Sequence, residues 1–228
     1  MVPMDRGLMP ARSFRPRRRG LPPARAEQYA RLAPHWTLPI DGPLLVWSEV
    51  FTAVFDRASG VVLDIGFGGG EGLIEMAALR PDECVIGVEV HTPGVARVLD
   101  AVEANHWRHV RVVEGDVLEL LPRLTNRSLD GVRIWFPDPW PKTKQRHRRL
   151  VSPPVVAALT DRLRIGGVLH VATDVDDYAR HTIAVIGDEL RLCGGVVPRP
   201  EWRPVTRFEA RGRREGRTSI DLVYERMS

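Results

Sequence analysis

The chain has 228 residues, 43% of them hydrophobic, which suits one domain with a full core plus a tail. Its net charge of +4 hides a pattern: residues 1–31, 142–149 and 203–217 carry +6, +5 and +4, so the rest is acidic and the expected partner is a polyanion. Two distant cysteines, Cys84 and Cys193, exclude a disulfide framework or cysteine metal module, and no apolar stretch approaches the length of a membrane span.

Residues 1–25 are rich in Arg and Pro and are expected to be a disordered arm. The arm serves either as an electrostatic arm for nucleic acid or as a solubilising tail. No apolar run of a secretory signal is seen, and a cytoplasmic protein is expected. Residues 26–228 are expected to form a single domain. Within 26–60, the apolar spacing of 43–55 predicts an entry helix. From residue 61 strand-like and helix-like runs alternate. Strands are predicted at 61–65, 84–90, 110–114, 129–136 and 167–173. Helices are predicted near 71–80, 93–106, 117–123, 152–163 and 175–190. This alternation implies a doubly wound α/β sheet with parallel strands. A short apolar piece, 196–197, and an alternating strand over 218–225 close the chain.

The stretch 61–71, VVLDIGFGGGE, joins a buried strand to a helix through glycine. Backbone can approach a ligand closely at such a turn. A dinucleotide fingerprint fails in all three registers, because the sixth places hold Glu71, Leu73 and Glu75. A phosphate-binding Gly-Lys-Ser/Thr is also missing. What fits is Asp64, Gly66, Gly68 and Gly70 in an acid-x-Gly-x-Gly-x-Gly pattern. Glu89 ends the second strand, where a carboxylate accepts from both ribose hydroxyls. Asp116 follows the third strand, placed to accept from an adenine amino group. Asp64 is placed to meet an ammonium group. Adenosine with an amino-acid end and no pyrophosphate describes S-adenosylmethionine. No metal site is expected.

The fourth strand runs into Phe136-Pro137-Asp138-Pro139-Trp140-Pro141-Lys142. Its prolines hold Asp138 in a rigid loop at the carboxyl edge of the sheet. Trp140 offers a flat face on which a base stacks. The run that follows, with Lys144, Arg146, His147, Arg148 and Arg149, is read as a grip on RNA phosphates, with His147 a phosphate contact or a surface residue. Asp174, after the fifth strand, either caps the next helix or contacts substrate. Thr206 and Glu209 lie in a loop before the last strand and are expected to hydrogen-bond the amide and amino edge of guanine.

The segments LDIGFGGG, GVEVH, FPDPWPK, ATD and TRFEARG together resemble the bacterial tRNA (guanine-N7)-methyltransferase family, within the class I S-adenosylmethionine-dependent methyltransferases. The resemblance runs from about residue 40 to the C-terminus. It implies a Rossmann-like, seven-stranded sheet, mostly parallel with the last strand antiparallel. It implies methyl transfer to N7 of a tRNA guanine, expected in the variable loop. It makes Asp138 the catalytic and cofactor-contacting aspartate and Lys142 a tRNA contact. It also places substrate contacts at Asp174 and at Thr206, Arg207, Phe208 and Glu209. The family commonly has Glu where this chain has Asp64. Two rivals remain: another RNA methyltransferase, and a non-catalytic RNA-binding protein that keeps the cofactor. Amino-methylating enzymes carry two prolines after the acid, whereas a single proline separates Asp138 from Trp140.

Overall fold

A computed structural model describes residues 20–228. Two helices precede the sheet, α1 (Pro23–Trp36) and α2 (Trp47–Val50). The sheet is built from β1 (Gly60–Ile65), β2 (Glu83–Glu89), β3 (Val110–Glu114), β4 (Leu129–Trp135), β5 (Leu163–Thr173), β6 (Leu192–Val197) and β7 (Ile220–Arg226). Between the strands lie α3 (Glu71–Leu79), α4 (Thr92–Ala104), α5 (Val117–Leu120), α6 (Pro153–Arg162), α7 (Asp176–Gly187) and α8 (Arg207–Arg214). The spatial order is β3-β2-β1-β4-β5-β7-β6. Neighbours from β3 to β5 pair in parallel, and β7 lies antiparallel between β5 and β6. This is the expected Rossmann-like sheet with its last strand reversed.

Burial on both faces explains the strand sequences. Every residue of β2 is buried, as a strand in a covered parallel sheet requires. Cys84, Ile86 and Val88 pack into one apolar cluster and Val85 into the other. On the Val85 side, α3 and α4 contribute Leu73, Val95 and Leu99, and α1 adds Leu32. On the opposite side, α6 and α7 contribute Val155, Leu159 and Tyr178. The order reverses at β1, which lies beside both β2 and β4. Ligands of open α/β sheets bind at the carboxyl ends of strands at such a switch point.

Several expectations need correction. The 43–55 stretch is not one helix: only α2 and a 3-10 turn at Phe55–Arg57 form there. Its buried anchors are Leu45, Trp47 and Phe51, while Leu44 and Val46 are exposed. Residues two apart do not share a helix face, so these anchors pin an irregular chain to the core. Trp47 Nε1 donates to Ser128 O at 2.9 Å and Leu45 N to Arg123 O at 2.8 Å. The helix that does form earlier, α1, starts at Pro23, inside the segment assigned to the arm; residues 1–19 of that arm lie outside the described residues. The 117–123 helix splits at Leu121 into α5 and a 3-10 turn that contains Pro122. β6 spans six residues where two were expected, and the loop before the last strand contains α8.

Candidate active site

The carboxyl ends of β1 to β4 open into one cleft of about 470 Å³. Its floor is the glycine turn, where Gly66, Gly68 and Gly70 have φ of 72°, 60° and 84°. Glu89, at the end of β2, ties this floor together. Its Oε2 accepts from Gly68 N–H at 2.6 Å, and its Oε1 accepts from Val90 and His91 N–H at 2.7 and 2.8 Å. Burial raises its carboxyl, with these backbone donors acting in the opposite direction. Asp116 lines the cleft, and its Oδ1 accepts from Leu118 N–H at 3.1 Å, capping α5. Gly66, Gly68, Glu89, Asp116 and Asp138 all line this one cleft. Gly70 does not. A Cβ there would lie 2.5 Å from Val98 Cγ2, so Gly70 packs α3 against α4 rather than facing a ligand. Gly69 lines the cleft in its place.

Asp64 sits beneath the turn, 3% exposed, and lines a small adjoining cavity with Phe67, Trp135 and Thr206. Its Oδ2 has no hydrogen-bond partner. Burial pushes its carboxyl up to about 6, against the lowering effect of Arg133 and with help from Glu83 and Glu89. Arg133 is the register partner of Asp64 across β1 and β4; its Nη2 bonds Glu83, while its buried Nη1 has no hydrogen-bond partner. The result is a buried carboxylate with one unbonded oxygen in the cavity beside the cleft.

Asp138 is exposed and lines the cleft from its proline loop. The loop is bounded by left-handed residues, Phe136 at φ 55° and Trp140 at φ 41°. The expectation that Trp140 stacks on a base is overturned: Trp140 is 2% exposed, and Arg148 Cζ lies 3.9 Å from the centroid of its ring. The basic run also divides. Lys142, Lys144 and His147 are exposed. Arg146 pairs with Asp177 at 3.1 Å, and Arg149 is 1% exposed and also bound to Asp177. Arg149 therefore does not face an RNA, because its guanidinium is consumed inside the protein.

The TRFE segment is the start of α8, which crosses the mouth of the cleft. Thr206 caps it, its Oγ1 accepting from Glu209 N–H at 3.2 Å. Arg207, Phe208, Arg211 and Arg214 line the cleft. A Cβ on Gly68 would lie 3.3 Å from the Phe208 ring, so that ring covers the glycine turn. Glu209 does not reach the cleft as expected. It is 1% exposed, and its carboxylate accepts from Arg199, Arg203 and Arg213 at 2.7, 2.8 and 2.6 Å. Arg203 continues to Asp221 at 3.1 Å, and Asp221 accepts from His170 Nε2 at 2.8 Å. Trp135 Nε1 donates to His170 Nδ1, so the histidine is neutral, and burial holds its pKa low. This buried network anchors α8. Asp174 pairs with Arg217 at 2.8 Å and packs against Gly212 of α8; it does not cap α7.

The sequence reading missed α8 as a helix, although Thr206-x-x-Glu209 has the spacing of a capping box. His91, Phe136, Leu150, Arg211 and Arg214 also line the cleft without having been expected there, although His91, Phe136 and Arg211 lie inside GVEVH, FPDPWPK and TRFEARG. Among the described residues no cluster of His, Cys, Asp and Glu could hold a metal ion, and no helix is long and apolar enough to cross a membrane.

A family model described as a putative methyltransferase matches residues 58–222. The fold matches that of a 16S rRNA (adenine(1408)-N(1))-methyltransferase from Catenulisporales acidiphilia, solved with the cosubstrate S-adenosylmethionine. That match has a TM-score of 0.55 and 16% identity and covers 80% of this chain and 90% of the other. Fold, glycine turn and family match together define a methyltransferase. The chain is 40% identical over 222 residues to the tRNA (guanine-N(7)-)-methyltransferase of Streptomyces avermitilis, covering 95% of this chain and 75% of that one. It is 43% identical over 205 residues to the enzyme of the same name from Thiobacillus denitrificans, covering 88% of each. The chain belongs to the tRNA (guanine-N(7)-)-methyltransferase family.

Proposed function

We propose that the chain transfers the methyl group of S-adenosylmethionine to N7 of a guanine in tRNA, in the variable loop, and does so in the cytoplasm. The observation that carries this reading is that the glycine turn and the rigid loop bearing Asp138 line one cleft, while a buried acid with an unpaired oxygen, Asp64, lines the small cavity that adjoins it at Gly66. The donor fits the residues present. Asp64, whose buried Oδ2 lacks a partner, suits an ammonium. Glu89, Asp116 and the backbone of Gly66 and Gly68 suit the ribose and adenine. When bound, the donor supplies an electrophilic sulfonium methyl.

The chemistry then asks little of the side chains beyond placement. Guanine N7 carries a lone pair and no proton, so its attack needs no general base. Alignment of N7 with the bond to be broken is the main requirement. Positive charge builds on the purine, and a fixed carboxylate beside it stabilises that charge. Asp138 fills this role, orienting the base rather than taking a proton. Lys142, Lys144 and His147 hold backbone phosphates. Arg207, Arg211 and Arg214 on α8 add positive charge along the mouth of the cleft.

The test is incubation with unmodified tRNA and labelled donor, followed by mapping of the modified base. Label is expected as 7-methylguanine in the variable loop; label on adenine, or none, overturns the proposal. With both substrates saturating, Asp138→Ala is expected to lower turnover by about 10²- to 10³-fold, and a near-normal rate would remove Asp138 from its role.

A further inference from the structure

The loop that presents Asp138 is strained at both ends, and the side chain that pins it is Arg149. Phe136 and Trp140 are aromatic residues with positive φ, at 55° and 41°. Such conformations persist only where the surroundings over-determine them. Phe136 is fixed through its N–H, which donates to Ala172 O at 2.7 Å. The second end is fixed by a side chain ten residues on. Arg149 Nε donates to Pro139 O, the carbonyl between Asp138 and Trp140, at 3.1 Å. The same guanidinium binds Asp177 at the start of α7 and lies 5.3 Å from the ring centroid of Tyr178. Tyr178 is fully buried, and its hydroxyl accepts from Val151 N–H at 3.3 Å. Arg149 therefore joins the loop to α7 with one planar fork, at 1% exposure.

We infer that Arg149, with Asp177 and Tyr178, is a positioning residue that sets the place of Asp138, and that it is not one of the RNA contacts of the basic run. The inference rests on the functional reading above in taking Asp138 as the catalytic carboxylate. A planar fork serves the Pro139 carbonyl and the Asp177 carboxylate at once. A lysine ammonium, a single point on a flexible stem, does not reproduce that geometry.

The test compares Arg149→Lys and Arg149→Ala with wild type, using full-length enzyme and unmodified tRNA. A displacement of the order of 1 Å in a positioned group lowers turnover about a hundredfold. Both variants are expected to lose about that much kcat at saturating donor and tRNA. The tRNA dissociation constant is expected to stay within about twofold of wild type, with an unchanged salt slope. A phosphate contact behaves differently: removing one lowers the salt slope by about one. Hydrogen exchange supplies a second readout that needs no substrate, with the amides of residues 136–142 exchanging faster in both variants. Asp177→Asn, at a partly exposed position, is expected to show a smaller fall in kcat and the same local gain in exchange. Wild-type turnover in Arg149→Lys overturns the inference. So does weaker tRNA binding with a flatter salt slope and full turnover in Arg149→Ala. Absence of 7-methylguanine from the wild-type reaction strikes the functional reading instead, while the exchange experiment still decides whether Arg149 holds the loop.

Discussion

Asp64 and Glu209 are carboxylates buried to 3% and 1% exposure, one at the glycine turn and the other in α8, and their surroundings drive them in opposite directions. Asp64 has an orphan oxygen, and burial pushes it up to about 6. Burial also raises Glu209, but hydrogen bonds from Arg199, Arg203 and Arg213 and the charge of Arg203 outweigh it and hold that carboxyl at about 2. One acid is hydrogen-bonded to its cations and serves the framework. The other feels the charge of Arg133, too weakly to offset burial, and keeps one oxygen without a hydrogen bond. Burial alone does not mark a functional acid; what separates the two is whether the protein itself hydrogen-bonds a counter-charge to the acid.

The largest test of this contrast is at Glu209. Removing one partner of a buried, paired network costs about 3–5 kcal/mol, so Glu209→Gln is expected to lower the melting temperature by about 10 °C and expose α8 to exchange. The contribution of Glu209 is fully present above its ordinary value of 4.5 and is lost as pH falls through about 2. A melting temperature within a degree of wild type at pH 7 would break the contrast.

Asp64→Asn is expected to do the reverse. The folded protein holds a proton on Asp64 up to about 6, against an ordinary 3.8, so its ionisation opposes folding increasingly as pH rises through that window. The gap corresponds to about 3 kcal/mol as an upper limit. Calorimetry at pH 7 to 8 is expected to show the ligand-free variant melting several degrees above wild type. A less stable variant would mean that Asp64 is already satisfied within the fold.

The smallest effect is expected on the exposed basic run. Lys144→Ala should weaken tRNA binding a few-fold and lower the salt slope by about one. An unchanged slope, measured by filter binding across salt concentrations, would remove Lys144 from the RNA face.

The fold was largely legible because the strands of this sheet are apolar runs separated by helical periodicity, and the glycine cluster at 66–70 and the prolines at 137–141 fall between elements. The cleft floor was legible for the same reason: Gly66, Gly68, Glu89 and Asp116 are placed by backbone, at strand ends that sequence order already gives. What was not legible depends on long-range pairing. Nothing local to KTKQRHRR says that Arg149 turns inward to Asp177, or that Arg148 covers Trp140. Nothing local to TRFE says that Arg199 and Arg203 claim Glu209. Gly70 was misread because its glycine is required by Val98 on a neighbouring helix.

The most direct measurement is donor binding by calorimetry from pH 5 to 7.5, for wild type and Asp64→Asn. Glu89, His91 and Asp116 also face the cleft and are common to both proteins, so the difference between the two profiles isolates Asp64. Wild-type affinity is expected to be constant near pH 7.5 and to weaken toward tenfold per pH unit below about 6. Asp64→Asn is expected to bind at least tenfold more weakly at pH 7.5 and to lack that dependence. Equal affinities, or parallel profiles, would contradict the assignment of Asp64 as the acid that awaits the donor's ammonium.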